Sequence, residues 1–282
     1  MEDGSEFSAV PIREAQLVAW PRVAAISAMV GFSLPTFLTG LEIFAGLSPE
    51  NAMWALFWGS ILVVIVGAIM GYIGAADRMS SYLLVRVTFG DKGAALVNIA
   101  FAISLMGWFG LNINLFMDTV GRLAQDLWGL HIPKVLLAIL ASSCMTLTTL
   151  IGFKAINWLS TLLIPILVLV TVLFARSAFS SHSWFDFLSL ETPARAIGDN
   201  AMSVGDGISW VVGGVIIGAI ILPDITRFIK QRSGAVYTAV CNYLIVNILV
   251  MAVAGLAGAS ACLLYTSPSP RDRTRSRMPS SA

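Results

Sequence analysis

Apolar residues run along this chain in blocks of about twenty, separated by short polar stretches. An α-helix rises about 1.5 Å per residue, so roughly 20 apolar residues cross the hydrocarbon of a bilayer. Windows of that length predict about seven spans: 23–41, 54–74, 94–118 with a helical continuation to Trp128, 134–152, 156–174, 203–230 and 236–262. Within the fifth, Pro165 predicts a kink.

Two of these blocks are interrupted. The sixth carries Gly205, Gly207, Gly213, Gly214 and Gly218, with Pro223 following, and its break is expected at Gly213–Gly218. The first is broken over Gly31–Pro35, with Ser33 at its centre. Irregular backbone survives at membrane depth only where it is buried in protein or lines a cavity. Two interrupted spans at matching places in successive halves point to the central site of a secondary transporter. The bland alternative is a pair of ordinary helices with Gly at close crossings.

Between spans two and three, Asp77, Arg78, Arg86, Asp91 and Lys92 mark a loop whose middle, SSYLLVRVTF, is amphipathic and suits the membrane surface. Residues 176–202 form a polar loop with room for a short interfacial helix. The chain is 57% hydrophobic and only 12% charged, against roughly 25% charged in soluble domains. That composition makes the chain a polytopic membrane protein, partnered by the lipid bilayer. No basic stripe interrupts the apolar body, so nucleic acid is excluded as a partner, and no obligate protein partner is evident.

Lys and Arg near span ends set the orientation. With the N-terminus inside, Arg13, Arg22, Arg78, Arg86, Lys92, Lys154, Arg227, Lys230 and Arg232 lie inside. Arg122, Lys134, Arg176 and Arg195 lie outside. The expectation is therefore a multi-pass protein of the inner (plasma) membrane, with residues 1–22 as a cytoplasmic segment and 23–262 as the membrane domain. Residues 263–282 abandon the apolar pattern and place Arg271, Arg273, Arg275 and Arg277 on the wrong side. They read as a non-native or disordered tail, and the natural chain as longer.

Candidate chemistry is sparse. Gly107-Trp108-Phe109-Gly110 leaves space beside the indole, and Ser104, Trp108 and Asn112 at i, i+4 share a helix face. A stacking surface with a polar group one turn away suits a planar, hydrogen-bonding ligand, although Trp108 packed on a neighbouring helix explains the same residues. Glu42, Asp118 and Asp206 fall at outer span ends, where an acid is more simply a solvated vestibule residue. Asp224 and Arg227, at i, i+3, read as a pair anchoring the inner end of span six. Cys144, Cys241 and Cys262 form no CxxC pair, and His131 and His182 have no ligand spacing, so neither a metal site nor a cofactor is expected. The HExxH, GxSxG and GxxxxGK[ST] patterns are absent, which argues against a zinc protease, a serine hydrolase and an ATP-driven pump. A passive channel would need a continuous polar lining, and a membrane-embedded enzyme would need clustered acid–base groups; no span shows either.

Several short stretches resemble the nucleobase:cation symporters. They are Gly71-Tyr72-Ile73-Gly74-Ala75, Leu83-Leu84-Val85-Arg86, Phe89-Gly90-Asp91-Lys92-Gly93, Gly107-Trp108-Phe109-Gly110 and Pro223-Asp224-Ile225-Thr226-Arg227-Phe228. The resemblance covers roughly residues 10–260 and implies an all-α integral membrane protein with a partial LeuT-like fold. In such a fold a first five-helix repeat is followed by helices six and seven, and helices one and six are broken. It implies import of a small nucleobase-like substrate coupled to Na⁺ or H⁺, bound mid-membrane between helices one, three, six, eight and ten.

Carried over to this chain, the resemblance has Trp108 stack on the base, and Gly213 and Gly214 meet its polar edge through broken backbone. Carbonyls of Gly31 and Leu34 would contribute to a Na⁺ site. With Ser33, Ser104 and Asn112 these make the expected site, which Val215 and Ile217 complete. The chain departs from the cytosine-carrying members, which have a Gln at Leu105 and an aromatic and a Ser at Val215 and Ile217. A less polar pocket follows, leaving thiamine-pyrimidine precursors (hydroxymethylpyrimidine), allantoin or hydantoins as alternative cargo.

Overall fold

The structure is a computed structural model that describes residue 12 and residues 14–151, 153–180 and 202–266. Span one consists of α1 (Trp20–Gly31) and α2 (Leu34–Gly46), bent by 54° at Phe32–Ser33. The cause is local. Pro35 has no N–H to offer the carbonyl four residues back, so the ladder lapses at Gly31 and restarts at Leu34.

Span two, α3 (Pro49–Asp77), ends where Arg78 turns left-handed at φ 58°. The following helix, α4 (Ser81–Trp128), is two helices joined at Gly90, whose φ of 68° and ψ of 178° are not helical. That glycine separates the amphipathic surface segment from span three, and span three continues to Trp128 as expected. Spans four and five are α5 (Lys134–Ile151) and α6 (Phe153–Ser180), the latter with Pro165 in its interior. Span six is α7 (Val204–Ile220) followed by the short α8 (Pro223–Thr226). Span seven is α9 (Ser233–Ala239), a π-helical turn (Val240–Val246) and α10 (Asn247–Thr266). Six helices among the described residues are long and apolar enough to cross a membrane, and the bent pair α1–α2 brings the total to seven.

The position of the break in span six differs from expectation. Helix α7 runs through Gly213, Gly214 and Gly218 and stops at Ile220; the interruption is at Ile221–Leu222. The physical reason is Pro223, which cannot donate to the Ala219 carbonyl and leaves it to the Leu222 N–H at 3.4 Å. Glycine in a helix costs only about 1 kcal/mol, proline about 3. Both spans carry a proline just past the lapse in their ladders, but only span one bends sharply there; Val204–Thr226 passes as one span.

The core is built on spans one, two, six and seven. A glycine stripe on α3 lets spans six and seven approach it. A Cβ on Gly59 would stand 2.7 Å from Val211 Cβ, on Gly67 2.8 Å from Tyr243 Cε2, and on Gly74 2.6 Å from Pro223 Cα. Ile43, Phe44, Leu56, Val211 and Met251 form one buried cluster, and Val63, Ala219, Leu222 and Tyr243 another. Spans one and six run antiparallel: Ile43 approaches Gly207, while Thr39, one turn earlier, approaches Gly214, nearly two turns later. Helices α4 to α6 present apolar faces outward, as at Leu96, Ile103 and Leu150.

At the end of the bundle that carries Arg78, hydrogen bonds bind three segments. Val18 N–H donates to Phe228 O at 2.8 Å and Lys230 N–H to Val18 O at 3.0 Å. The Arg78 guanidinium donates to Ile229 O, to Lys230 O at 3.2 Å and to Arg227 O at 3.5 Å. Partial burial, and then Arg232, hold Arg78 below the usual arginine pKa. The expected Asp224–Arg227 pair takes another form. The Asp224 carboxylate accepts from Ser81 N–H, and Arg227 Nε donates to the Asp224 backbone carbonyl at 3.1 Å.

His182, Arg195 and the interfacial helix expected before residue 202 lie outside the described residues, as does the tail from residue 267 on. Helix α10 carries the chain to Thr266, past the expected boundary at 262.

Candidate functional site

The gap in span one opens onto a cavity of ≈ 250 Å³. One wall is Val30, Gly31, Ser33, Pro35, Thr36 and Thr39 of span one. Facing it are Leu105, Trp108 and Asn112 of span three. Gly214, Val215, Ile217, Gly218 and Ile221 come from span six, and Asn242, Tyr243 and Met251 from span seven. A cavity of about 150 Å³ already accepts benzene, so this one has room for a substituted or fused ring.

Of the site residues named from the sequence, the fold brings together Gly31, Ser33, Trp108, Asn112, Gly214, Val215 and Ile217. Ser104, Gly213 and Leu34 are not on the lining. Span three is rotated so that Leu105, not Ser104, stands beside Trp108. Gly213 turns away, with nothing within 4 Å of where its Cβ would be. Leu34 opens α2, where the helical ladder engages its carbonyl, whereas Gly31 closes α1 and Pro35 leaves its carbonyl without an N–H. Gly107 and Gly110 have nothing within 4 Å of their Cβ positions, but both are exposed and neither lines the cavity.

The polar groups of the lining are held by short local bonds. Ser33 Oγ and Thr36 Oγ1 share a hydrogen bond of 3.0 Å. Thr39 Oγ1 donates to Pro35 O at 2.9 Å. Asn112 Nδ2 donates to Trp108 O at 2.8 Å. Asn242 Nδ2 donates to Ser27 Oγ at 2.9 Å, a bond joining spans seven and one in the interior. Thr36, Thr39, Asn242 and Tyr243 were not singled out from the sequence; an Asn inside the apolar window of span seven was the available signal.

The three acids expected at outer span ends stand apart from the cavity. Glu42 is exposed. Asp118 pairs with Lys134 at 2.8 Å. Asp206 closes a capping box with Ser203, its Oδ2 accepting from Ser203 N–H at 2.9 Å.

Residues 23–269 match the family described as permease for cytosine/purines, uracil, thiamine and allantoin. The chain is 27% identical over 261 residues to cytosine permease of Escherichia coli strain K12, and likewise to that of Escherichia coli O157:H7. Each match covers 93% of this chain and 59% of the relative, so the chain spans about three fifths of the curated relatives it matches. The fold resembles that of Mhp1, a nucleobase-cation-symport-1 family transporter solved in a closed conformation with bromovinylhydantoin bound. That match has a TM-score of 0.73 and 19% identity, over 91% of this chain and 57% of Mhp1.

Proposed function

Because the chain belongs to the family of permeases for cytosine/purines, uracil, thiamine and allantoin, we propose that it carries the binding half of a secondary transporter. The family is one of permeases, not of enzymes. The cargo is a nucleobase or a related planar nitrogen heterocycle, imported with Na⁺ or H⁺ across the inner membrane, the N-terminus cytoplasmic. The observation that carries this reading is the cavity at the break of span one, walled by Trp108 on one side and span six on the other.

In this reading Trp108 offers a π-face to the ring, and Gly214, without a side chain, lets the ring edge approach the span-six backbone. The Gly31 carbonyl, at the break of span one, would contribute to the site of the coupling cation. Leu105, Val215 and Ile217 make the lining largely apolar. That favours a heterocycle with an apolar substituent, such as a hydantoin or a pyrimidine precursor of thiamine, over cytosine itself. Rocking of the bundle of spans one, two, six and seven against the remaining helices would expose the cavity to alternate sides.

The test is equilibrium binding of cytosine, uracil, allantoin and substituted hydantoins to this chain extended to the full length of its relatives, in lipid nanodiscs, with and without Na⁺ and at several pH values. Binding of at least one heterocycle that weakens in Trp108→Ala supports the reading. Saturable binding of none, or affinities indifferent to Trp108→Ala, overturns it.

A further inference from the structure

The cavity lining has a directional bias in its hydrogen-bonding groups. Thr39 spends its hydroxyl hydrogen on Pro35 O, and Asn112 spends an amide hydrogen on Trp108 O. Asn242, 2% exposed, spends one on Ser27 Oγ, itself 1% exposed. In each case one donor is turned back onto protein, which leaves Thr39 Oγ1 and the two amide oxygens as acceptors, each amide keeping a second N–H. The clearest case is Asn242. Its Oδ1 sits 2.8 Å from where a Cβ on Gly31 would be, beside the break of span one. Nδ2 is held by Ser27, the same side chain also hydrogen-bonds Tyr243, and Oδ1 lies beside the gap. Asn242 reaches the cavity together with its neighbour Tyr243, both from the π-helical turn of span seven. Wide turns of this kind are frequent at functional sites.

We infer that span seven forms a specificity wall: Asn242 Oδ1 accepts a hydrogen bond from a ring N–H of the bound heterocycle. This rests on the transporter reading above and deepens it. The substrate class is then a lactam, imide or amidine ring carrying N–H donors, with Asn112 Oδ1 as the acceptor on the opposite wall. Ser27 is a positioning residue that keeps the amide oxygen, rather than the NH₂, toward the ligand. Gly31 is required at this place because a side chain would displace Oδ1 and also meet Val246 Cγ1 at 2.8 Å.

The test uses methylated probes on this chain, extended to the full length of its relatives, in nanodiscs. Uracil is compared with its N1-methyl, N3-methyl and 5-methyl derivatives, and hydantoin with its N-methyl derivatives. Methylation on nitrogen removes the donor; methylation on carbon adds the same bulk and keeps it. At least one N-methyl isomer of the ring that binds should lose roughly 5- to 150-fold in affinity, the range for leaving a buried acceptor unpaired. The 5-methyl isomer should bind within about 3-fold of the parent, having lost no hydrogen bond. Asn242→Leu should weaken the parent and erase its advantage over the N-methyl isomer, whereas Asn242→Asp, which keeps an acceptor, should preserve the preference. Ser27→Ala should reduce discrimination more than affinity. The wild-type probe series stands even if Asn242→Leu does not fold. If every N-methyl isomer binds as its parent does while Trp108→Ala still weakens both, the span-seven inference is wrong and the transporter reading survives.

Discussion

The Asp224 carboxylate accepts a 2.8 Å hydrogen bond from the backbone N–H of Ser81, the first residue of α4. A helix-end N–H, which α4 cannot satisfy from within, is thus satisfied by the C-terminal end of span six. Asp224→Ala leaves this donor in a buried setting, at a cost of about 1–3 kcal/mol. We expect a lower unfolding midpoint for Asp224→Ala in detergent, with Asp224→Asn in between because it retains a carbonyl oxygen. Equal midpoints for all three chains would show that this contact stabilises nothing.

Arg78 makes the second tie at this end of the bundle, its planar fork reaching carbonyls of Arg227, Ile229 and Lys230. Lysine keeps the charge but not the fork. Arg78→Lys should speed amide exchange at Val18 and Lys230 by roughly 5- to 30-fold, as a loss of 1–2 kcal/mol of local stability does. Exchange in spans four and five should not change, and a uniform acceleration across the chain would count against a local clasp.

Two glycines should respond oppositely to alanine. Gly213 is helical with nothing within 4 Å of its Cβ position, so Gly213→Ala should stabilise by about 0.5–1 kcal/mol. Gly74→Ala would put a methyl 2.6 Å from Pro223 Cα, and overpacking of that kind costs about 1–3 kcal/mol. Paired denaturation curves decide. Destabilisation by Gly213→Ala would return the break of span six to the glycine pair.

In the cavity, Trp108→Phe should retain part of the ligand affinity and Trp108→Ala should lose roughly 5- to 150-fold, the range of base–aromatic stacking. Leu105→Gln adds a hydrogen-bonding group beside the indole and should shift preference toward more polar bases by about 2- to 10-fold. The readout is the ratio of affinities for cytosine and an apolar-substituted hydantoin. An unchanged ratio would show that Leu105 does not set selectivity.

Much of this molecule follows from local chemistry. Span lengths come from apolar runs, and the break of span one from Pro35 and its missing N–H. The turn between the surface segment and span three comes from Gly90, the residue type that takes φ 68° without strain. Pro223 belonged to the same class of signal, although Gly213 and Gly214 were the more conspicuous pair.

What the tertiary structure alone decided is rotation and partnership. Whether Ser104 or Leu105 joins Trp108 depends on a turn of about 100° of span three about its axis, which packing sets and periodicity in an all-apolar helix does not. The closeness of Asn242 to Gly31 joins residues from opposite ends of the chain across an interface that exists only once Gly59, Gly67 and Gly74 let spans two, six and seven close. Sequence determines which segments can cross a membrane and where their ladders must fail, because those are properties of neighbouring residues. Which faces meet, and therefore which oxygens surround the cavity, is a property of the assembled bundle.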